Sequence, residues 1–242
     1  MRSPTPGDLS AVEVVTFDAA GTLLRPHPSV GAVYREIGLC HGCDHAADSL
    51  DRAFAEAFHA ISKDPRVLDP EGRERDFWRR VVRHAFDALG RAPLQFDPFF
   101  EDLWETFAHG SRWRVYEHTH DTLAELRRRG YRLGVLSNWD SRLHRVLAET
   151  GLRDLFEAVT ISSEAGFEKP DTGIFVRAEA AHRVAAGRAL HVGDSIKHDV
   201  EGAHAAGWPV LRVRHDGGAA APGEIGTLTQ LLDLLSGVSA SV

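Results

Sequence analysis

Asp18, in Phe17-Asp18-Ala19-Ala20-Gly21-Thr22-Leu23, follows directly on a β-branched and aromatic run. Three later segments place polar residues in the same way: Ser137 in Val135-Leu136-Ser137-Asn138, Lys169 in Glu168-Lys169-Pro170-Asp171, and Asp194 with Asp199 in Gly193-Asp194-Ser195-Ile196-Lys197-His198-Asp199. Brought to one place, these side chains have complementary uses. A carboxylate can attack as a nucleophile, a hydroxyl can donate to a developing anion, a lysine can balance charge, and an acidic pair can hold a hard divalent cation. Taken one at a time, each has a plainer reading. An Asp after a strand forms turns or caps helices, Asp199 has the position of an N-cap, and Ser137 could cap a helix starting near Asp140. Lys169 could be a solvated loop residue. The chemistry therefore depends on whether the intervening elements carry all of them to one edge.

The pattern between these segments is that of an α/β protein. Residues 12–17 read as a buried strand, with further strands over 131–136, 158–161, 189–192 and 209–213. Helical patterns fill the gaps, over 121–129 stopping at Gly130, 141–150 stopping at Gly151, 171–182 after Pro170, and 199–206 stopping at Gly207. Strands alternating with helices predict parallel βαβ units with helices on both faces of one sheet. In such sheets ligands bind at the carboxyl ends of the strands, which is where the polar residues fall. The stretch 29–112 breaks the alternation. Amphipathic segments near 30–39, 46–61, 75–89 and 99–108 predict an inserted helical bundle, with Val30, Val33, Tyr34 and Ile37 at helical spacing and Phe54, Phe77, Trp78, Phe86, Phe99 and Trp104 for its core. The expected division is a core domain of 1–28 and 113–242 and a helical domain of 29–112. Residues 216–226 are Gly/Ala/Pro-rich and loop-like, with a last helix near 227–235.

The 242 residues are 43% apolar and 26% charged, ordinary globular values, and the net charge is −7. That balance argues against non-specific nucleic-acid binding, which needs clustered positive charge. Arg127-Arg128-Arg129 is the exposed end of a helix, where cations favour the dipole. No run reaches the ~18–20 apolar residues of a membrane span, and residues 1–10 are polar, without the apolar stretch of a leader. The expectation is a cytoplasmic protein without membrane or nucleic-acid partners.

The four polar segments, in order, resemble the signature motifs of the haloacid dehalogenase (HAD)-like hydrolase superfamily, and the helical insertion resembles its C1 cap. The first two motifs look most like the subgroup of haloacid dehalogenase-like hydrolase domain-containing protein 3. The resemblance implies a Rossmann-like three-layer core with a parallel sheet, capped by the insertion, that hydrolyses a small phosphorylated substrate with Mg²⁺. It implies Asp18 as the nucleophile, forming an aspartyl-phosphate. Mg²⁺ would be held by Asp18, the backbone carbonyl of Ala20, and Asp194, with Asp199 beside it as a ligand through water or as an orienting group. Lys169 would pair with Asp18 and the phosphoryl group, and Ser137 with Asn138 would bind phosphate.

Position 20 departs from the phosphatase pattern. Phosphatases of this superfamily carry a second Asp there, as general acid and then base, and losing such a group typically costs ~10²–10⁴-fold in rate. Ala20 leaves a carbonyl for the metal but no side chain for the proton. The substrate then has a leaving group that needs no proton, such as an acyl or aryl phosphate, or another residue such as His27 supplies the acid. A third route resembles phosphonoacetaldehyde hydrolases, which share the Ala and use a cap lysine as a Schiff base. The only lysine of the insertion is Lys63, in the turn-like Ser62-Lys63-Asp64-Pro65, where an ordinary amine is mostly protonated. Ser137-Asn138 also resembles 2-haloacid dehalogenases, although their first motif carries an aromatic residue at position 20. A degenerate binder of phosphate or of a protein partner is the alternative outside enzymology.

Cys40-His41-Gly42-Cys43-Asp44-His45 is too cramped for the usual tetrahedral zinc spacing, and surface thiols are the expectation. The fourteen histidines are scattered, and most are expected to face solvent.

Overall fold

The computed structural model describes residues 9–216 and 221–235. Most of the polar amino-terminal stretch and positions 217–220 of the Gly/Ala/Pro-rich stretch lie outside the described residues. The strands are β1 (Val14–Phe17), β2 (Leu24–Pro26), β3 (Trp113–Val115), β4 (Arg132–Ser137), β5 (Ala158–Ile161), β6 (Ala189–Gly193), β7 (Val210–Val213) and β8 (Glu224–Ile225). The α-helices are α1 (Val30–Cys40), α2 (Ala47–Ala60), α3 (Pro70–Ala88), α4 (Phe96–Thr106), α5 (Thr119–Arg128), α6 (Arg142–Glu149), α7 (Ser162–Ala165), α8 (Thr172–His182), α9 (Glu201–Ala205) and α10 (Leu231–Leu234).

Six strands form one sheet in the order β5-β4-β1-β6-β7-β8, and each neighbouring pair is parallel. Every residue of β1 is buried, as expected of a parallel strand covered on both faces, and this accounts for its unbroken Val-Val-Thr-Phe run. The chain goes from β1 to β4 and β5 on one side and later returns to β6 on the other. This switch point opens a crevice outside the carboxyl ends of β1, β4 and β6. On one side of the sheet a core of Val14, Leu136, Ile174, Phe175, Trp208 and Val210 locks α8 and α9 to the strands. The sixth strand, β8, corrects the loop expectation for 216–226: Glu224 and Ile225 gain backbone partners from β7 that the composition does not advertise.

The chain divides into two compact units, one of 1–25, 115–139 and 151–242, the other of 26–114 and 140–150. Helix α6 thus belongs with the inserted helices, which its sequence position between two sheet strands does not reveal. The strands β2 and β3, where the chain passes from one unit to the other, pair as a separate two-stranded ribbon. Within the helical unit, the start of α1 is bound by Asp51, which accepts from Gly31 N–H at 2.6 Å and Ser29 Oγ at 2.7 Å. Its interior is aromatic: Tyr34 packs against Phe54, Phe86 and Phe107 with ring centroids 6.0–6.1 Å apart, and full burial pushes its phenol well above the usual range, with the Arg142 charge opposing. Arg142 lies 3.3 Å from the Trp104 ring centroid and grips both oxygens of Asp140 at 2.7 Å.

Candidate functional site

Asp18 is the first residue past β1, and its backbone N–H donates to Val192 O on β6 at 2.9 Å. The register pairs Phe17 with Val135 on β4 and Val192 on β6, so Ser137 and Asp194 lie just beyond the same edge of the sheet. After Asp18 the chain closes a tight turn in which Leu23 and Leu24 N–H donate to Ala19 O and Gly21 N–H donates to Leu24 O. The carbonyl of Ala20 takes part in none of these bonds. Gly21 has φ +87°, and a Cβ there would lie 2.6 Å from Asp194 Cγ. A Cβ on Gly193 would lie 2.1 Å from Asp199 Cγ. Both glycines are therefore required by the carboxylates packed on them.

Lys169 is 2% exposed. Its Nζ donates to Asp18 Oδ1 at 2.8 Å, Leu136 O at 2.9 Å and Asp199 Oδ1 at 2.5 Å, which uses all the donors of an ammonium. Burial works against its charge, but Asp18 and Asp199 outweigh burial and hold its pKa above the ordinary value. Its backbone is clamped by Asn138, which donates to Lys169 O at 2.8 Å and accepts from Lys169 N–H at 2.7 Å.

Asp199 is reached through a wide turn. Residues Ile196–Val200 form a π-helical turn rather than the first turn of an α-helix, a geometry found disproportionately at functional sites. Ser195 Oγ accepts from His198 N–H at 3.2 Å and Asp199 Oδ2 accepts from Ser195 N–H at 2.9 Å. Burial opposes ionisation of Asp199, but Lys169 and a hydrogen bond from His191 hold its carboxyl below the usual range. Asp194 has the opposite fate: burial first, then the charges of Asp18 and Asp199, push it up to about 7, against a hydrogen bond from Thr22 Oγ1 at 3.3 Å.

Asp18, Asp194 and Asp199 offer carboxylate oxygens within 4.8 Å of one another. The donors are all hard oxygens, and the cluster carries more negative charge than Lys169 balances, which fits Mg²⁺. The structure thus brings Asp18, Lys169, Asp194 and Asp199 together. Ser137 ends β4 with its side chain buried, too deep for a helix cap, and Ser141 occupies the cap position of α6. The Asn138 amide spends its oxygen and one N–H on Lys169. Asp199 caps no helix. Lys63 is no free turn amine: it pairs with Glu74. His27 belongs to the helical unit, and its N–H donates to Arg112 O at 2.7 Å.

Some expectations are corrected here. His191 and His182 are buried, exceptions to the expectation that most histidines face solvent. Cys43 is a buried thiol that donates to Arg91 O, so only Cys40 is exposed. Among the described residues, the acidic group at Asp18 is the one that could gather a metal, and the Cys40–His45 stretch contributes no such group. Sequence reasoning missed Thr22 and His191 as neighbours of the site. The first lies inside the Asp18–Leu23 motif. The second is the one polar side chain in the strand run Ala-Leu-His-Val, and that oddity was its available signal.

The chain belongs to the haloacid dehalogenase-like hydrolase family, whose model matches residues 12–207. It is 35% identical over 199 residues to "Haloacid dehalogenase-like hydrolase domain-containing protein 3" of Homo sapiens, covering 81% of this chain and 79% of the relative. It is also 35% identical over 162 residues to a "Phosphoserine phosphatase" of Thermus thermophilus, covering 66% of this chain and 64% of that one. The L-2-haloacid dehalogenase of Xanthobacter autotrophicus shares the fold, with a TM-score of 0.72 at 21% identity over 94% of this chain and 100% of the other. Among the described residues, no helix is long and apolar enough to cross a membrane.

Proposed function

We propose that the protein is an Mg²⁺-dependent phosphatase-type hydrolase that acts on a small phosphorylated metabolite, with Asp18 as nucleophile and the helical unit as its cap. The observation that carries this reading is the charge state around Asp18. One carboxylate oxygen is tied to Lys169 at 2.8 Å, while Asp194 and Asp199 leave the surroundings negative. Asp18, Asp194 and the carbonyl of Ala20 would hold the ion, with Asp199 positioned beside them. Bound there, Mg²⁺ would neutralise phosphoryl oxygens that a carboxylate nucleophile otherwise repels.

This chain's own residues then do the following. Lys169 holds Asp18 in place through its hydrogen bond, and shares its charge with the incoming phosphoryl group. An Asp18 oxygen forms a bond to phosphorus as the bond to the leaving oxygen breaks, and the leaving group departs with the electron pair. Water then attacks phosphorus as the bond from phosphorus to the Asp18 oxygen breaks, freeing the Asp18 carboxylate and releasing inorganic phosphate, with the water's proton passing to phosphate or solvent. Ala20 offers no proton to the leaving group, so acyl and aryl phosphates, whose anions leave unaided, are the favoured substrates. The 2-haloacid reading fits less well, because this acidic surround would repel a carboxylate substrate lacking a cation to bridge them.

A panel of acyl, aryl and alkyl phosphates, assayed with and without Mg²⁺, tests the proposal. Expected is Mg²⁺-dependent turnover in the order acyl, aryl, alkyl, reduced more than ~10³-fold in Asp18→Asn. Metal-dependent ligand binding with no turnover of any member would establish a phosphate-binding protein instead.

A further inference from the structure

His191 sits in β6 between Leu190 and Val192 with no solvent exposure. An imidazole there loses hydration at both ring nitrogens, a cost that hydrogen bonds must offset. Both nitrogens are bonded. Nδ1 lies 3.0 Å from Thr16 Oγ1 on β1, and Nε2 lies 3.0 Å from Asp199 Oδ1. Phe175 of α8 closes the pocket edge-on, with ring centroids 5.7 Å apart. The Lys169 ammonium also donates to Asp199 Oδ1, so this oxygen accepts from two sides. A carboxylate is acceptor-only, so Nε2 carries an N–H that donates to Asp199 Oδ1, while Nδ1 faces the Thr16 hydroxyl, which also lies 3.4 Å from Leu190 O.

We infer that His191 is a positioning residue for the Asp18 site: its Nε2–H fixes Asp199, and Asp199 in turn aims Lys169 at Asp18. The inference rests on the phosphoryl-transfer reading and adds a residue to it. A carboxylate is held in one orientation only when both its oxygens are tied. Ser195 N–H secures Oδ2, while His191 and Lys169 meet on Oδ1. Without the imidazole, the rigid donor on Oδ1 is gone and that oxygen is met by the flexible Lys169 side chain, so lysine and carboxylate can shift together and Nζ is no longer fixed on the Asp18 oxygen.

The test compares His191→Gln, whose amide N–H reaches about where Nε2 lies, with His191→Leu, which fills the space and donates nothing. Turnover of acetyl phosphate and p-nitrophenyl phosphate at saturating Mg²⁺ is measured beside thermal unfolding. Expected is a kcat loss of ~10–100-fold in the Leu variant with KM nearly unchanged, and recovery of most of that loss in the Gln variant. A Leu variant with wild-type kcat, or losses in both variants that simply follow their melting temperatures, would overturn the inference. A two-bond proton–nitrogen correlation spectrum of the wild-type protein reads the same point without turnover, and it decides the matter should both variants fail to fold. A proton on Nε2 supports the positioning role, whereas a ring protonated on Nδ1 alone removes it. A wild-type protein with the Nε2 proton but inert towards every phosphate would instead sink the phosphatase reading.

Discussion

Lys169 and Lys63 are both held by carboxylates beneath the surface, one in each unit. Lys63 meets Glu74, with side chains 17% and 6% exposed, and lies 5.8 Å from the centre of the Phe77 ring. Lys169 meets Asp18 and Asp199, with Asp194 within reach of the same oxygens. The first arrangement pairs opposite charges inside a helical bundle and serves the fold. The second leaves negative charge in excess at the open end of a sheet, which no folding requirement explains. Burial of an ion pair is weak evidence for function; an unbalanced cluster at the carboxyl ends of parallel strands is stronger evidence.

The largest effect should come from supplying what the rim lacks. Ala20→Asp is expected to raise turnover of alkyl phosphate esters by ~10²–10⁴-fold, the usual worth of a placed acid–base group. No gain, with the variant folded and binding Mg²⁺, would mean that proton transfer does not limit this chemistry. Next, the two lysines should separate in thermal unfolding. Lys63→Met leaves Glu74 buried without that partner and should cost ~3–5 kcal/mol, equally in EDTA and in Mg²⁺. Lys169→Met should lose a similar amount in EDTA and regain much of it in Mg²⁺, since a cation can stand in for the ammonium. A loss at position 169 that ignores Mg²⁺ would erase the distinction between the two regions.

The smallest effect concerns pH. With Asp194 pushed up to about 7, a proton must leave before the carboxylate can bind a cation. Mg²⁺ affinity should therefore fall ~tenfold between pH 8 and pH 6, with proton release measurable by calorimetry in buffers of different ionisation heat. The sign for stability follows from the same shift. The folded carboxyl holds its proton more tightly than the unfolded one, so without the cation this group's contribution falls as pH rises from about 4 towards 7. Affinity that is flat from pH 6 to pH 8, with no proton release, would place the Asp194 titration elsewhere.

Much of this was legible in the sequence, because local signals and tertiary outcome agree there. The run Val14–Phe17, the expected strand 158–161 and the polar residues just past the strand ends all reappear where the periodicity and turn residues put them. What was not legible depends on partners distant in the chain. β8 is two residues long and exists because β7 offers it an edge. α6 has an ordinary amphipathic pattern that cannot say which unit it joins. His191 looks like any scattered histidine until Thr16 and Asp199 are seen to flank it. The segment expected as one helix over 199–206 is a wide turn followed by α9, because Asp199 is drawn inward to Lys169 instead of facing solvent as a cap.

That wide turn carries a consequence for how this segment can vary. Asp199 N–H and Val200 N–H both return to Ser195 O, at 3.0 and 3.2 Å, so the interval from Asp194 to Asp199 works as a ruler. Ile196, 51% exposed, can be exchanged for many side chains without changing its length. Removing or inserting one residue would swing Asp199 by roughly a quarter of a turn about the axis of this wide turn, turning its carboxylate away from the lysine. Substitution tolerance combined with indel intolerance is the signature to expect of this stretch in any mutational survey of the chain.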